Sequence, residues 1–406
     1  MVAPLRLNLR TLVIGAVLAA APAQPARAQD LPWAPIALAD GHVTLGGDAS
    51  VTIAPKDTGF FNYTDYDRSL VRMMQVDFLG AVKANDHVSF LTEVRLQNTE
   101  AQALALYARI RPWAARAVDI QIGRVPPTFG AYGRRAYGVD NPLIGVPLAY
   151  QYLTSLRPDA LPASADDLLK MRGRGWEASY PLGNQVAAHG VPLVSTARWD
   201  TGVQVHAANA LVEATGAVTV GTLSDPRFSD NNGGPQVIGR VALRPNAGLV
   251  VGVSGSRGPF VGRQAARAAG SDWRSLTQQA WGADVEYSRD YYLVRFESVY
   301  SEWRVPSIGA DPIVGPLTSL GTSIEGRYKI RPGFYAAARF DHLGFSEITG
   351  SHLREGWDAP VSRFEIGGGY SIQRNLIAKL SYQYNTRDGG RVRSLGLVAF
   401  QLQFWL

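Results

Sequence analysis

A chain of 406 residues with 40 basic and 34 acidic side chains is only weakly cationic, and three of its bases, Arg6, Arg10 and Arg27, fall in the first 28 residues; no basic patch of the kind that binds nucleic acid is present. The lack of cysteine argues against a disulfide-stapled secreted scaffold, and beyond residue 28 no run of eighteen apolar residues offers a transmembrane helix. Forty-two glycines, seventeen tyrosines and nine tryptophans at near-zero mean hydropathy fit a sheet with one greasy and one wet face, whose contributions cancel in the average.

Residues 1–28 read as a secretory signal. Arg6 and Arg10 precede an apolar run, Thr11 to Ala21, too short to span a bilayer, and Ala26-Arg27-Ala28 supplies the small-x-small cleavage pattern, so Gln29 should begin the mature chain. From there the sequence repeats one unit: ten to fourteen residues alternating apolar with polar, a tight turn, another such run, then usually a longer loop. In 88–98, Val88, Phe90, Thr92, Val94 and Leu96 fall on one face, with Ser89, Leu91, Glu93, Arg95 and Gln97 on the other. In the next run Leu104, Leu106, Ala108 and Ile110 alternate with Ala105, Tyr107, Arg109 and Arg111. Later runs repeat this: Tyr292, Val294 and Phe296 against Arg295 and Glu297, Ile324, Gly326 and Tyr328 against Glu325 and Arg327, Phe364 and Ile366 against Arg363 and Glu365, Ala378 and Leu380 against Lys379.

Short connectors at 84–86, 245–247, 289–290, 331–333 and 373–375 carry turn chemistry and alternate with longer polar loops, the asymmetry of an outer-membrane barrel. The connector at 99–101 is short where a long loop is expected. The predicted strands are 42–54, 68–83, 87–98, 102–111, 117–124, 201–208, 211–222, 235–244, 248–257, 276–288, 291–303, 317–330, 333–345, 359–373, 375–386 and 391–405. Runs of this length suit a tilted membrane-crossing strand better than a soluble sandwich, whose strands average about five to six residues. The fold class is therefore all-β, a transmembrane antiparallel β-barrel of sixteen strands over 29–406. The count would rise to eighteen if 173–182 and 185–197 formed a hairpin, which Pro181, Gly190 and Pro192 oppose. The last strand carries an apolar stripe, Val398, Phe400, Leu402, Phe404 and Leu406, resembling the C-terminal signal read by the outer-membrane assembly machinery, although the final residue is Leu406.

On this count 125–200 is the third long loop, too long for an idle connector. Its approach, Val118-Asp119-Ile120-Gln121-Ile122-Gly123-Arg124-Val125-Pro126-Pro127-Thr128-Phe129-Gly130, and its return, Asp200-Thr201-Gly202-Val203-Gln204-Val205, resemble the corresponding junctions of the phosphate-selective porin group, the porin O and P family. The resemblance implies a channel whose third loop folds inward and narrows the pore, and porins generally suggest a homotrimer. The residues available to that constriction are Arg124, Arg134 and Arg135, flanked by Tyr132 and Tyr137, and further on Arg172 and Arg174. Arginine's planar fork of donors suits carboxylate and phosphate, so such a set favours anions. The same loop holds Asp140, Asp159, Asp166, Asp167, Glu177 and Asp200, which could instead make a self-compensated plug. On the barrel wall Arg95, Arg109, Arg111, Arg295, Arg327, Arg339, Arg363 and Lys379 share the lumen face with Glu93, Glu297 and Glu325, among other acids. Members of the family that are specific for phosphate use lysine-rich arrays; five lysines argue against that specificity here.

Catalytic chemistry is not signalled. The histidines at 42, 87, 189, 206, 342 and 352 lack metal-ligand spacing, Asp341 and His342 point to opposite faces of a strand, and no G-x-S-x-G elbow occurs. The sequence thus predicts an outer-membrane porin, not an enzyme, without cofactor or metal, for passive diffusion of small polar or charged solutes with a modest anion preference. Its surroundings would be outer-membrane lipid. The alternatives are a plugged structural or adhesive barrel and, further off, an outer-membrane enzyme.

Overall fold

The computed structural model describes residues 35–406 apart from 66, 114–116, 133–136, 198 and 310; the leader reading of 1–28 lies outside the described residues. Sixteen antiparallel strands form the wall: β1 (Val43–Ile53), β2 (Met73–Lys83), β3 (Val88–Gln97), β4 (Glu100–Ile110), β5 (Ala117–Val125), β6 (Asp200–Ala208), β7 (Val212–Thr219), β8 (Gln236–Asn246), β9 (Leu249–Pro259), β10 (Thr277–Arg289), β11 (Tyr292–Trp303), β12 (Leu317–Arg331), β13 (Phe334–Phe345), β14 (Val361–Gln373), β15 (Leu376–Arg387) and β16 (Ser394–Trp405). Each pairs with its sequence neighbours, and β1 pairs with β16 from Asp48↔Trp405 to Ile53↔Phe400, which closes the barrel. Below that seam Ile36–Leu38 pairs with Val43–Leu45, covering the part of the β1 edge that β16 does not reach.

Alternation puts large apolar side chains on the outer surface, where Val253 is 59 %, Leu380 57 % and Ile366 49 % exposed, while inward-facing Asp77, Glu365 and Arg363 are fully buried. This inversion of an ordinary globular protein is stable only if lipid surrounds the wall. Tyr287, Tyr291, Tyr292, Tyr328 and Tyr370 gather outside near the short turns as an interfacial girdle.

One expectation is corrected. Leu104 does not share the lipid face with Leu106: the β3–β4 register slips so that Glu93 opposes Ala105 while the next residue, Val94, opposes Ala103. The extra residue turns inward, and Leu104 packs with Ala105 and Trp199. The segments 173–182 and 185–197 add no barrel strands. Within them only Leu182–Gly183, paired with Ala160–Leu161, and the Ala178–Ala188 bridge show β pairing, all inside the third loop. The short connector after β3 is real, reduced to Asn98 and Thr99 with Asn98 at φ +52°.

Candidate functional site

The third loop, 126–199, begins where Pro126 and Pro127 remove two backbone donors and stop β5. Just before, Gly123 sits at φ +128°, where a Cβ would meet the Leu106 carbonyl oxygen at 2.4 Å; only glycine tolerates this backbone without strain. The loop then runs inside the barrel, and lumen side chains of β9 to β15 hold its main chain, with Ser254 accepting the Gly130 N–H and Gln278 donating to the Leu193 carbonyl. The Glu297 carboxylate accepts the N–H groups of Ala131 (2.9 Å) and Tyr132 (3.2 Å) and the Tyr150 hydroxyl (2.5 Å). Glu365 accepts the N–H groups of Gly145 (2.9 Å) and Ile144 (3.3 Å). Gly145 comes so close that a Cβ would lie 2.4 Å from that carboxylate. Cations serve the carbonyls: Lys379 donates to those of Gly138 and Asn141 (2.7 Å for Asn141), Arg363 to Val146 (3.0 Å) and also to Phe61 in the loop after β1 (2.7 Å), and Arg295 to Asp140 (3.3 Å). The Tyr335 hydroxyl donates to Pro142. These side chains satisfy main-chain groups that an irregular buried segment cannot pair with itself.

Several wall arginines pair with carboxylates as well. Arg95 forks onto Asp77 at 2.6 and 2.8 Å, Arg109 and Arg111 share Asp119 at 2.7 and 2.8 Å, and Arg240 holds Asp284. Arg339 reaches Glu365 (2.7 Å), Asp341 (3.0 Å) and Glu325 (3.3 Å); Arg295 joins Glu286 and Glu325. Arg327 lies over the Tyr335 ring. Bidentate geometry and full compensation are what make such buried charges tolerable.

The loop is thus tied to one side, and space remains along the opposite wall. An outer cavity of about 270 Å³ lies between loop 1 (54–72), strands β1 to β4 and the third loop; an inner one of about 490 Å³ lies against β2 to β7. They abut where Arg95, Leu104 and Gly138 face the outer cavity and Glu93, Ala105 and Tyr137 face the inner. The Tyr137 hydroxyl donates to Glu93 (2.7 Å), and its ring meets Trp199 edge-on. This meeting point of the two cavities is the neck.

Of the expected constriction residues, Tyr132 borders the outer cavity and Tyr137 the inner one. Arg134 and Arg135 lie outside the described residues. Arg124 borders neither cavity: it is buried, donates to the Arg227 carbonyl and sits 3.8 Å over the Phe228 ring. Arg172 pairs with Glu355 of loop 7 (346–360), and Arg174, in the same tight turn, accompanies it at the outer end. The structure therefore separates Arg124 from Arg172 and Arg174 and brings neither to the neck. Asp77, Asp119 and Trp199 were missed as site residues. Period-two alternation puts Asp77 opposite to Phe78 and so inside, but no local pattern announces that Trp199 will meet Tyr137.

Asp341 and His342 do face opposite sides, Asp341 toward Arg339 and His342 outward, where Nδ1 lies 2.8 Å from Ser362 Oγ. That pair has threonines, Thr322 and Thr386, as its cross-strand neighbours and lies one step from the end of the β13–β14 pairing. Among the described residues no group of three or more His, Cys, Asp or Glu side chains could hold a metal ion.

No known protein family and no curated protein matches the sequence. Among solved structures, the fold is similar to outer-membrane-expressed OmpT of Vibrio cholerae (TM-score 0.53, 11 % identity, 91 % of this chain and 100 % of that one). It is also similar to an anion-selective porin from Comamonas acidovorans (0.53, 8 %, 90 % and 99 %) and to the outer-membrane channel DcaP of Acinetobacter baumannii (0.52, 11 %, 90 % and 97 %). At these identities the likeness is one of architecture, and that architecture is the sixteen-stranded, porin-type transmembrane barrel.

Proposed function

We propose that the chain is an outer-membrane porin through which small polar and charged solutes diffuse passively, with a modest preference for anions. The observation that carries this reading is the one-sided tethering of the third loop, which narrows the lumen while leaving polar cavities along β1 to β7. Export by a cleaved leader at 1–28, insertion by the outer-membrane assembly machinery and a homotrimeric state belong to the same reading; the last is supported by the trimer form of Vibrio cholerae OmpT, a structural neighbour. Kinship with the phosphate-selective porin group rests on the Val118-to-Gly130 approach and the Asp200-to-Val205 return.

The wall arginines that pair with carboxylates, Arg95, Arg109, Arg111, Arg240, Arg295 and Arg339, contribute little net field. The anion preference is therefore assigned to Arg134 and Arg135, in the four-residue link between Tyr132 at the outer cavity and Tyr137 at the inner one. Arg124, buried beneath loop 4 (220–235), has a lesser part. Planar-bilayer recording across a salt gradient tests both statements. Discrete open steps with an anion-sided reversal potential are expected. Replacing Arg134 and Arg135 by alanine should lower the anion-to-cation permeability ratio roughly two- to fivefold, as expected for charges lost beside a narrow pore. Steps with unchanged selectivity would remove the arginine assignment, and no steps would favour a plugged barrel.

A further inference from the structure

The outer cavity differs in chemistry from the charged wall around it. Its two arginines are already engaged: Arg95 by the Asp77 fork, and Arg68 by Asp65 at 2.5 Å and Glu100 at 3.3 Å. Among the described residues an arriving anion finds no uncommitted guanidinium there and would have to compete with carboxylates in place. What the β2–β3 wall offers instead is a ladder of amides. Arg68 Nη1 donates to Gln97 Oε1 (3.5 Å), Gln97 Nε2 to Gln75 Oε1 (3.2 Å), and Gln75 Nε2 to Asp77 Oδ2 (2.9 Å). Gln102 stands opposite Arg95 across the β3–β4 pair and lines the same space.

A primary amide has two donor hydrogens and two acceptor lone pairs. Each ladder glutamine spends one of each on its neighbours, which fixes its orientation and leaves one donor and one acceptor for a guest. A hydroxyl group donates one hydrogen bond and can accept up to two, so a row of such amides matches a row of hydroxyls. The facing side, formed by the third loop, is mixed: Tyr132, Leu143 and Ile144 give it an apolar surface. A ring with C–H faces and hydroxyl edges satisfies both walls. A volume of about 270 Å³ is at the low end for a small-molecule site.

We propose that the outer cavity is a binding subsite for neutral polyhydroxylated solutes of the sugar class, with Gln75, Gln97 and Gln102 as its specificity-determining residues. The proposal rests on the channel reading and adds to it a saturable step for an uncharged solute, separate from the ion preference assigned to the neck.

The test is ion current through the full-length protein in planar bilayers, titrated with sucrose and, separately, with a polyethylene glycol of matched hydrodynamic size. Sucrose should reduce the current saturably, whereas the polymer should lower it only as it lowers bulk conductivity. In Gln75→Leu/Gln97→Leu the half-blocking sucrose concentration should rise about tenfold, the loss of two neutral hydrogen bonds. Persisting open steps would show that the variant has folded. Gln102→Ala, outside the ladder, should give a smaller rise and keeps the test decisive if the double variant does not assemble. Open steps without saturable sucrose block would overturn the subsite while leaving the channel intact; so would saturable block by inorganic phosphate in place of sucrose. A wild-type protein without steps would overturn the channel reading and the subsite together.

Discussion

Asp358, in loop 7, is fully buried, and its carboxylate accepts three backbone N–H groups: Gly173 and Ala359 on one oxygen, Ser155 on the other, each at 2.7 Å. One side chain therefore clamps two separate stretches of the third loop. Burial pushes its carboxyl above the ordinary value despite these bonds. The folded state then binds the proton more readily than the unfolded chain, so this group's contribution to stability is greatest at low pH and declines as pH rises from the ordinary carboxylate value through the raised one. Acidification from neutrality should leave the protection of the Ser155 and Gly173 amides unchanged or greater, measured by hydrogen exchange corrected for the intrinsic rate. Protection that falls steadily on acidification would contradict the assignment. Asp358→Ala orphans all three donors and should lower the local opening free energy by about 1–3 kcal/mol, visible as new protease cleavage near 173–176. The acid was visible in the sequence, but its task was not, because its two partners in the third loop lie about two hundred positions away.

At the scale of elements, period-two alternation made the strands legible: nearly every wall residue expected inside from its neighbours' polarity is inside. Where it failed, at Leu104, a single inserted residue reversed the phase of half a strand, and a bulge leaves no local mark in a run of leucines and alanines. The third loop was legible by length alone. Its course depends on contacts such as Glu297 with Ala131 and Tyr132, more than 160 positions apart, which no spacing rule reaches. Those contacts give the lumen charges a second meaning. Glu297, Glu365 and Lys379 read from sequence as pore lining, whereas the structure uses them to hold main chain. Glu297→Gln should place an amide N–H₂ against backbone donors and loosen the loop locally by about 1–3 kcal/mol. The expected result is a folded barrel whose single-channel trace becomes noisier, with sub-states absent from the parent. A trace as quiet as the parent's would show that the other tethers suffice.

The whole molecule depends on a ring being complete, since an open sheet edge in lipid leaves backbone groups without partners. The β1–β16 seam has only six residue pairs, from Asp48↔Trp405 to Ile53↔Phe400, and Ile36–Leu38 guards the rest of the β1 edge. Replacing Ala37 by proline would strain that cover and remove one of its donors. The variant should still form a barrel but lose its heat-resistant compact band on semi-native gels at a lower temperature than the parent; an unchanged transition would mean that Ile36–Leu38 is ornamental. The seam also imposes an order in time. Thr52 and Gln401, hydrogen-bonded across it, are 349 residues apart, so the first strand is made long before the strand that will finally lie beside it. Through all the intervening synthesis and threading its edge is a template for the wrong partner. Whatever inserts this chain must therefore shelter that one edge from beginning to end, and release it only when the last strand arrives.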